Sequence, residues 1–402
     1  MSPVFYQEDC SMAEFDFVNN RVFDDRFSAF APQAPQFAPG SSMFQPVYLD
    51  TGVKVRENGD VDFGFYAPEA QRVAIIFGVR ASQPLEMTKG EDGVWRVTLP
   101  YDPLFCGPKA FEFEVDGARV LSPYCPIYYS HFMAINYVEI PDANAPFVLM
   151  RDVPHGSVTT EFYWSDAMET WVRCLVYLPP MYHEGGEYPV LYLQHGAGEN
   201  ETSWVYNGRV SHIMDNLIAD GKAEPCIVVM NDGMIRKKDE SMMTHGSAFA
   251  DTLIENCIPM IERKYRVKRD KWHRAIAGFS MGSMQASVIG LTHLDTFAYI
   301  GVLSGFMRRL GMGSGMDALE HNPHIQVMQD RETFEREIKL YYRAMGSRDF
   351  YFESFENDNK MCRELGFDQY QNVVSRVVEG YPHDWAILRI LIHDFAQRIF
   401  KD

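Results

Sequence analysis

The pentapeptide Gly278-Phe279-Ser280-Met281-Gly282 has the residue types and spacing of an activated serine. An apolar run, Ala275–Ala277, leads into it and a helix-compatible stretch follows. The glycines two positions on either side of Ser280 therefore permit a sharp turn that lifts the hydroxyl off the end of a strand. The helix start beyond it offers amide donors and a favourable dipole to developing negative charge. A serine hydroxyl is a weak nucleophile until a base takes its proton and a third group orients that base. Two later strand ends supply such groups. The run Leu340–Met345 ends in Gly346-Ser347-Arg348-Asp349, and Val373–Val378 ends in Glu379-Gly380-Tyr381-Pro382-His383. Ser280, Asp349 and His383 stand in the order nucleophile, acid, base, each at or just past a strand, and the chemistry of that set is acyl transfer.

Such a reaction also needs donors for the oxyanion. Gln194-His195-Gly196-Ala197-Gly198 follows the strand Val190–Leu193. Ala197 is the candidate for one N–H, and Met281, directly after the serine, for the other. His195 lies in a glycine-bearing turn and is read as holding that loop rather than as a base. Trp204 and Trp385, near the oxyanion loop and His383 in sequence, are candidate substrate-binding surfaces for an aromatic acyl group, with core packing the equal alternative. His393 falls inside the last helix, Asp358 reads as a solvated face of the helical stretch Glu353–Leu365, and Asp384 as the cap of the final helix. His321 and His324 have a loose metal-like spacing but no cysteines or carboxylate cluster to complete a site, so neither a metal nor a cofactor is expected.

The elements that must position these groups follow from periodicity. From residue 158 to 402, the strand-like runs Val172–Leu178, Val190–Gln194, Cys226–Met230, Ala275–Phe279, Tyr299–Leu303, Leu340–Ala344 and Val373–Val378 alternate with amphipathic segments. That alternation predicts an α/β domain, a mostly parallel central sheet covered by helices on both faces. From 43 to 140 the period is two, as in Val61/Phe63/Phe65, Trp95/Val97/Leu99 and Phe111/Phe113/Val115. Turn signals such as Asp116-Gly117 separate the runs, which predicts a β-sandwich of about a hundred residues. Residues 1–42 read as an N-terminal tail or arm, and 141–157, with three prolines, as a linker.

Composition bounds the partners. A formal net charge of -18 over 402 residues argues against nucleic acid and anionic membrane surfaces. No run approaches the roughly 18 apolar residues of a membrane span. The seven cysteines include no CxxC pair; Cys174, Cys226 and Cys257 sit in apolar runs, and Cys106 could pair with Cys125 only on export. The first residues lack a basic n-region and an apolar h-region, so a cytoplasmic location is expected, with secretion the alternative if a leader precedes them. Homo-oligomerisation stays open.

The stretches YPVLYLQHGAGENETSW, IMDNLIADGKAEPCIVVMNDG, FADTLIENCIPMIERKYRV, RAIAGFSMGSMQAS and GYPHDWAILRILIHDF cover most of 171–402. Together they resemble carbohydrate esterase family one, the esterase D and feruloyl esterase group of α/β-hydrolases. The resemblance implies a triad of Ser280, Asp349 and His383 with oxyanion amides at Ala197 and Met281. It also implies hydrolysis of feruloyl (hydroxycinnamoyl) or acetyl esters on plant cell-wall xylan or its oligosaccharides. The β-rich segment is similar, in MTKGEDGVWRVTLP and FEFEVDGARVLSP, to the immunoglobulin-like early-set module related to the family-48 carbohydrate-binding module. Trp95, its only tryptophan, reads as core, and a docking role that shapes the rim of the site is the alternative to sugar binding. Two departures stand out: the histidine turn reads Gly-Tyr-Pro-His where many relatives have a Gly-Gly-His type turn, and the glycine- and methionine-rich Phe306–Arg336 segment is expected to set specificity. Competing readings are a cytoplasmic siderophore esterase of the enterochelin type, with Arg308-Arg309 meeting an anionic catecholate, a mycolyl-type acyltransferase, and a non-catalytic carbohydrate-binding protein.

Overall fold

The period-two runs of the N-terminal half form ten strands in the computed structural model, which describes residues 40, 49–78, 83–235, 237, 248–308 and 323–401. In chain order they are β1 (Gly52–Val55), β2 (Val61–Tyr66), β3 (Val73–Phe77), β4 (Leu85–Glu86), β5 (Thr88–Lys89), β6 (Val94–Leu99), β7 (Gly107–Val115), β8 (Ala118–Val120), β9 (Ile127–Ser130) and β10 (Met133–Ile140). They make two sheets, ordered β1-β2-β6-β5 and β4-β3-β7-β10-β9, with β8 paired to β7. Phe63, Val73, Ile75, Trp95, Phe111, Phe113 and Val138 from both sheets fill one core. The rings of Phe63 and Phe111 meet edge to face at 5.2 Å. Trp95 is buried and its indole N–H donates to the Ala67 carbonyl at 2.9 Å, so it is a core residue. Asp116 and Gly117 both take positive φ, which lets two residues join β7 to β8. Cys106 and Cys125 are both buried thiols with no disulfide between them. The expected tail, 1–42, lies outside the described residues apart from Gly40.

The chain divides into two units, the second comprising Tyr129–Met133 and Phe147–Asp402. The stretch read as a linker, 141–157, is tied down over most of its length within that second unit. Asn216 donates to the carbonyls of Phe147 and Leu149, while buried Asp215 accepts from Gly156 N–H at 2.9 Å and meets the His155 ring at 3.0 Å. Its prolines exclude regular structure without making it loose.

The second unit carries an eight-stranded sheet of β11 (Ser157–Ser165), β12 (Thr170–Leu178), β13 (Val190–Gln194), β14 (Ile227–Asn231), β15 (Arg274–Ser280), β16 (Tyr299–Gly305), β17 (Leu340–Gly346) and β18 (Val373–Val378). The order is β11-β12-β14-β13-β15-β16-β17-β18. The sheet is mixed. β14, β13, β15, β16, β17 and β18 run parallel, whereas β12 is antiparallel to β14 and β11 to β12. The expected mostly parallel sheet thus gains an antiparallel hairpin at one edge, and β11 was hidden because it alternates buried Glu161, Tyr163 and Ser165 with exposed neighbours. The strands β13, β14 and β16 are buried at every residue, which is why they read as continuous apolar runs. Helices Met281–Thr292 and Trp385–Ala396 pack on the central strands, the latter also against Val210–Ala219. No helix among the described residues is long and apolar enough to cross a membrane.

Asp358 corrects a sequence expectation. It sits in the helix Phe352–Glu364 but is buried, not solvated. The Arg308 guanidinium donates to it at 2.8 Å, and Arg343 of β17, itself buried, lies 3.9 Å away. Burial of a carboxylate requires such partners, and helical spacing cannot reveal an arginine from a distant loop. Asp358→Ala removes the buried carboxylate that both guanidinium groups face, so urea unfolding should show a loss of about 3–5 kcal/mol.

Candidate active site

β15 ends at Ser280, whose φ of 52° and ψ of −113° lie where an L-residue is strained. The turn closes tightly because both flanking glycines lack a Cβ. A Cβ on Gly282 would come within 2.5 Å of the His195 carbonyl, and one on Gly278 would overlap the backbone of Gly282. Ser283 pins the corner: its hydroxyl donates to the Ser280 carbonyl at 2.5 Å and accepts the Phe306 N–H at 2.7 Å.

The Ser280 hydroxyl lies 3.1 Å from Nε2 of His383, and Nδ1 of His383 lies 2.7 Å from Oδ2 of Asp349. With Nδ1–H donating to the carboxylate, the Nε2 lone pair is directed at the serine. Asp349 is buried, and its other oxygen accepts the Tyr351 N–H at 2.8 Å. Ser304, at the end of β16 with a φ of 45°, donates to Oδ2 of Asp349 at 2.5 Å. The sequence reading missed Ser304; the only signal was a Ser-Gly pair ending the strand beside that of Ser280. Rings pack around the imidazole, Phe279 and Phe350 each at 4.7 Å and Tyr351 at 5.2 Å. Phe350, also missed, is 61% exposed.

The two proposed oxyanion donors are placed by the same framework. Met281 heads the helix Met281–Thr292, so its N–H has no intrahelical acceptor. Ala197 is exposed in the turn after β13, and the residues on either side of it are buried. His195 is fully buried; Nδ1–H donates to the Gly196 carbonyl at 2.8 Å, and Nε2 accepts the Gly233 N–H at 2.9 Å. Gln285 donates to the Gly233 carbonyl at 2.8 Å, which ties the turn after β14 to the serine-bearing helix. Both nitrogens of His195 are engaged in fixing loops, as its glycine-bearing turn suggested.

Trp204 and Trp385 do not line an open surface. They are 1% and 4% exposed, and they meet edge to face at 5.0 Å beneath the oxyanion loop. Trp204 donates to the Gln194 carbonyl at 2.9 Å, and Trp385 to Oε1 of Glu199 at 2.7 Å. The stacking role considered for them is replaced by packing, because an indole with its N–H satisfied inside is a core anchor. Glu199 is buried with its second oxygen lacking a hydrogen-bond partner, and burial pushes its carboxyl up to about 7.

Asp384 caps the final helix, accepting the Ala386 N–H at 2.9 Å. His393 stacks on Phe147 at 3.8 Å, and burial lowers it to about 4. His324 is buried against the Met307 carbonyl. His321, Arg309 and residues 309–322 of the long segment lie outside the described residues, among which no cluster suited to a metal occurs.

Residues 165–348 match the family described as "Putative esterase". The Endo-1,4-beta-xylanase/feruloyl esterase of Xylanibacter ruminicola is 33% identical over 360 residues, 86% of this chain and 46% of that protein. The chain thus spans less than half the length of that relative. Among solved structures, the feruloyl esterase module from Clostridium thermocellum complexed with sinapinate superposes with a TM-score of 0.53 at 25% identity, covering 68% of this chain and 96% of the module. The enterobactin esterase from Shigella flexneri reaches a TM-score of 0.60 at 15% identity over 84% of this chain and 92% of its own, a likeness of fold. The second unit therefore has the α/β-hydrolase fold of esterases.

The Glu199 carboxyl carries a test. Its folded value lies above its ordinary 4.5, so it stabilises the fold when protonated, and that contribution fades as pH rises from about 4.5 through about 7. Glu199→Gln keeps an acceptor for Trp385 without the charge. Its melting temperature should fall less than that of the unsubstituted protein between pH 5 and pH 8, a window set by those values. Parallel curves would remove Glu199 from the account.

Proposed function

We propose that the chain is a serine carboxylic ester hydrolase of the feruloyl esterase type, acting on hydroxycinnamoyl esters, and next on acetyl esters, of plant cell-wall xylan or its oligosaccharides. The observation that carries the chemistry is the unbroken line from the Ser280 hydroxyl through His383 to Asp349, at 3.1 and 2.7 Å. His383 Nε2 takes the Ser280 proton as Oγ attacks the ester carbonyl carbon. The carbonyl electrons move to oxygen, where the N–H groups of Ala197 and Met281 hold the oxyanion, one such donor lowering the barrier by about 3–4 kcal/mol. Collapse breaks the bond to the alcohol, which leaves with the proton from Nε2. Water then gives a proton to Nε2 and attacks the acyl-enzyme, releasing the acid and restoring Oγ–H. Asp349 fixes the Nδ1–H tautomer and stabilises the imidazolium throughout.

Two observations support the substrate class. A relative at 33% identity, of which this chain spans 46%, is named Endo-1,4-beta-xylanase/feruloyl esterase. Phe350 also offers an exposed ring 4.7 Å from His383, on which a planar cinnamoyl group can stack. For the first unit we retain the immunoglobulin-like early-set reading, supported by its two sheets around one core. The second reading is a siderophore esterase of the enterochelin type, favoured by a fold likeness extending over 84% of the chain. Of the two cations that reading would use, Arg308 is engaged by Asp358, and Arg309 lies outside the described residues.

Turnover of methyl ferulate, p-nitrophenyl acetate and acetylated xylan, run beside a ferric triscatecholate, separates the two, and only the first group should be cleaved. Ser280→Ala should lower kcat by a factor on the order of 10⁶ with the fold retained; near-normal turnover would sink the assignment. Phe350→Ala should raise KM for methyl ferulate by about 3- to 10-fold while leaving p-nitrophenyl acetate nearly unchanged.

A further inference from the structure

The hairpin β11–β12 displays aromatic side chains that neither the core nor the triad uses. Its register pairs Trp164 with Trp171 and Phe162 with Arg173, so the four side chains share one face. The opposite face buries Glu161, Tyr163, Val172 and Cys174. Trp171 is 65% exposed, Phe162 60% and Trp164 45%, and the two indoles meet edge to face at 5.9 Å. An outward position on an edge hairpin is satisfied by threonine or a charge, as at Thr160 on this hairpin. Three large aromatics gathered there mark a contact surface.

Topology fixes what that surface can touch. β12 is antiparallel to β14, and Cys174 pairs with Asn231, the last residue of β14. Residues 170–173 therefore run past the carboxyl end of the parallel strands, the end where Ser280, Asp349 and His383 stand. β14 and β13 separate β12 from β15. At the usual strand spacing Trp171 lies roughly 15 Å across the sheet edge from the serine's strand, and β11 roughly 19 Å. Arg173 joins the patch to the site, since its guanidinium is ion-paired with buried Glu201, four residues after Ala197 in the oxyanion loop. That guanidinium, 49% exposed, leaves further N–H donors beside the rings.

We propose that Phe162, Trp164 and Trp171 form an accessory subsite that stacks the pyranose rings of the neutral polysaccharide whose ester is bound at Ser280. The inference rests on the esterase reading above and extends it from the acyl group to the polymer. Sugar C–H faces pack on indole and phenyl rings, and the hydroxyls at the ring edges take N–H donors such as those of Arg173. An uncharged polymer is indifferent to a net charge of -18, whereas an anionic surface is repelled. Three side chains are also far short of the roughly 1,000 Å² a stable protein interface buries, but they suffice for a short run of sugar rings.

The test uses the full chain with Trp164→Ala/Trp171→Ala, checked for an unchanged melting temperature, and Phe162→Ala beside it. Both variants should hydrolyse methyl ferulate within about twofold of the unsubstituted enzyme. Their kcat/KM on feruloylated xylan should fall about 10-fold, through KM. Retardation by soluble xylan in affinity electrophoresis should be lost, yet persist in Ser280→Ala. Equal losses on both substrates, unchanged kinetics and retardation on xylan, or a change confined to oligomeric state in size-exclusion chromatography would each overturn the subsite. If the unsubstituted enzyme cleaves neither ester, the esterase reading fails, and xylan retardation still decides the subsite.

Discussion

The backbone of Ser280, at φ 52° and ψ −113°, stays in a conformation that costs on the order of 1–3 kcal/mol only because its surroundings leave no other. Gly278 and Gly282 permit the close approach of strand, helix and the His195 carbonyl, while Ser283 binds the corner to the end of β16. The pairing of β15 with β16 slips at Phe279/Ser280, so the ladder itself breaks where the hydroxyl must stand clear of the sheet. Each neighbouring piece is placed relative to that corner. The loop after β13 lies against it through Gly282, Ser304 follows on β16, and the turns after β17 and β18 bring Asp349 and His383.

Around this corner several buried polar groups are engaged with one another, which helps the site hold its geometry. His195 spends both ring nitrogens on loop carbonyl and amide groups. Ser304 and the Tyr351 amide share Asp349 with His383. Among the exceptions are the side-chain amide of Gln194, Oε1 of Gln285 and the second oxygen of Glu199, which lies under the loop that presents Ala197. A carboxyl left half-satisfied beneath an oxyanion site favours its neutral form, which keeps an extra negative charge away from the place where one must develop.

Much of this was legible in the sequence. Strands buried on both faces read as unbroken apolar runs, so their ends were visible, and strand ends are where this architecture sets its reacting groups. Ser280, Asp349 and His383 were found that way. What escaped was information carried by facing and by distant partners. Adjacency in sequence placed Trp204 and Trp385 near the site but not which way the indoles turned, and both turned inward. Asp358 looked solvated because Arg308 is fifty positions away. β11 alternates polar with apolar residues directly after a proline-bearing stretch, so its start blurred into the expected linker. Ser304 and Phe350 belong to short, common sequences whose meaning comes only from the strand beside them.

The wiring of the last helix bears on when this molecule acquires any reactivity during synthesis. Trp385 bonds to Glu199 and Arg389 to the Asn207 carbonyl, spans of 186 and 182 residues, and His383 reaches Ser280 across 103. A nascent chain that has emerged just past β17, as far as Asp349, already holds the serine and its acid. It has neither a base for the hydroxyl nor the anchor beneath the Ala197 loop. Docking of the segment that carries His383 and Trp385 supplies both together, so the nucleophile stays quiet until that segment has emerged and packed.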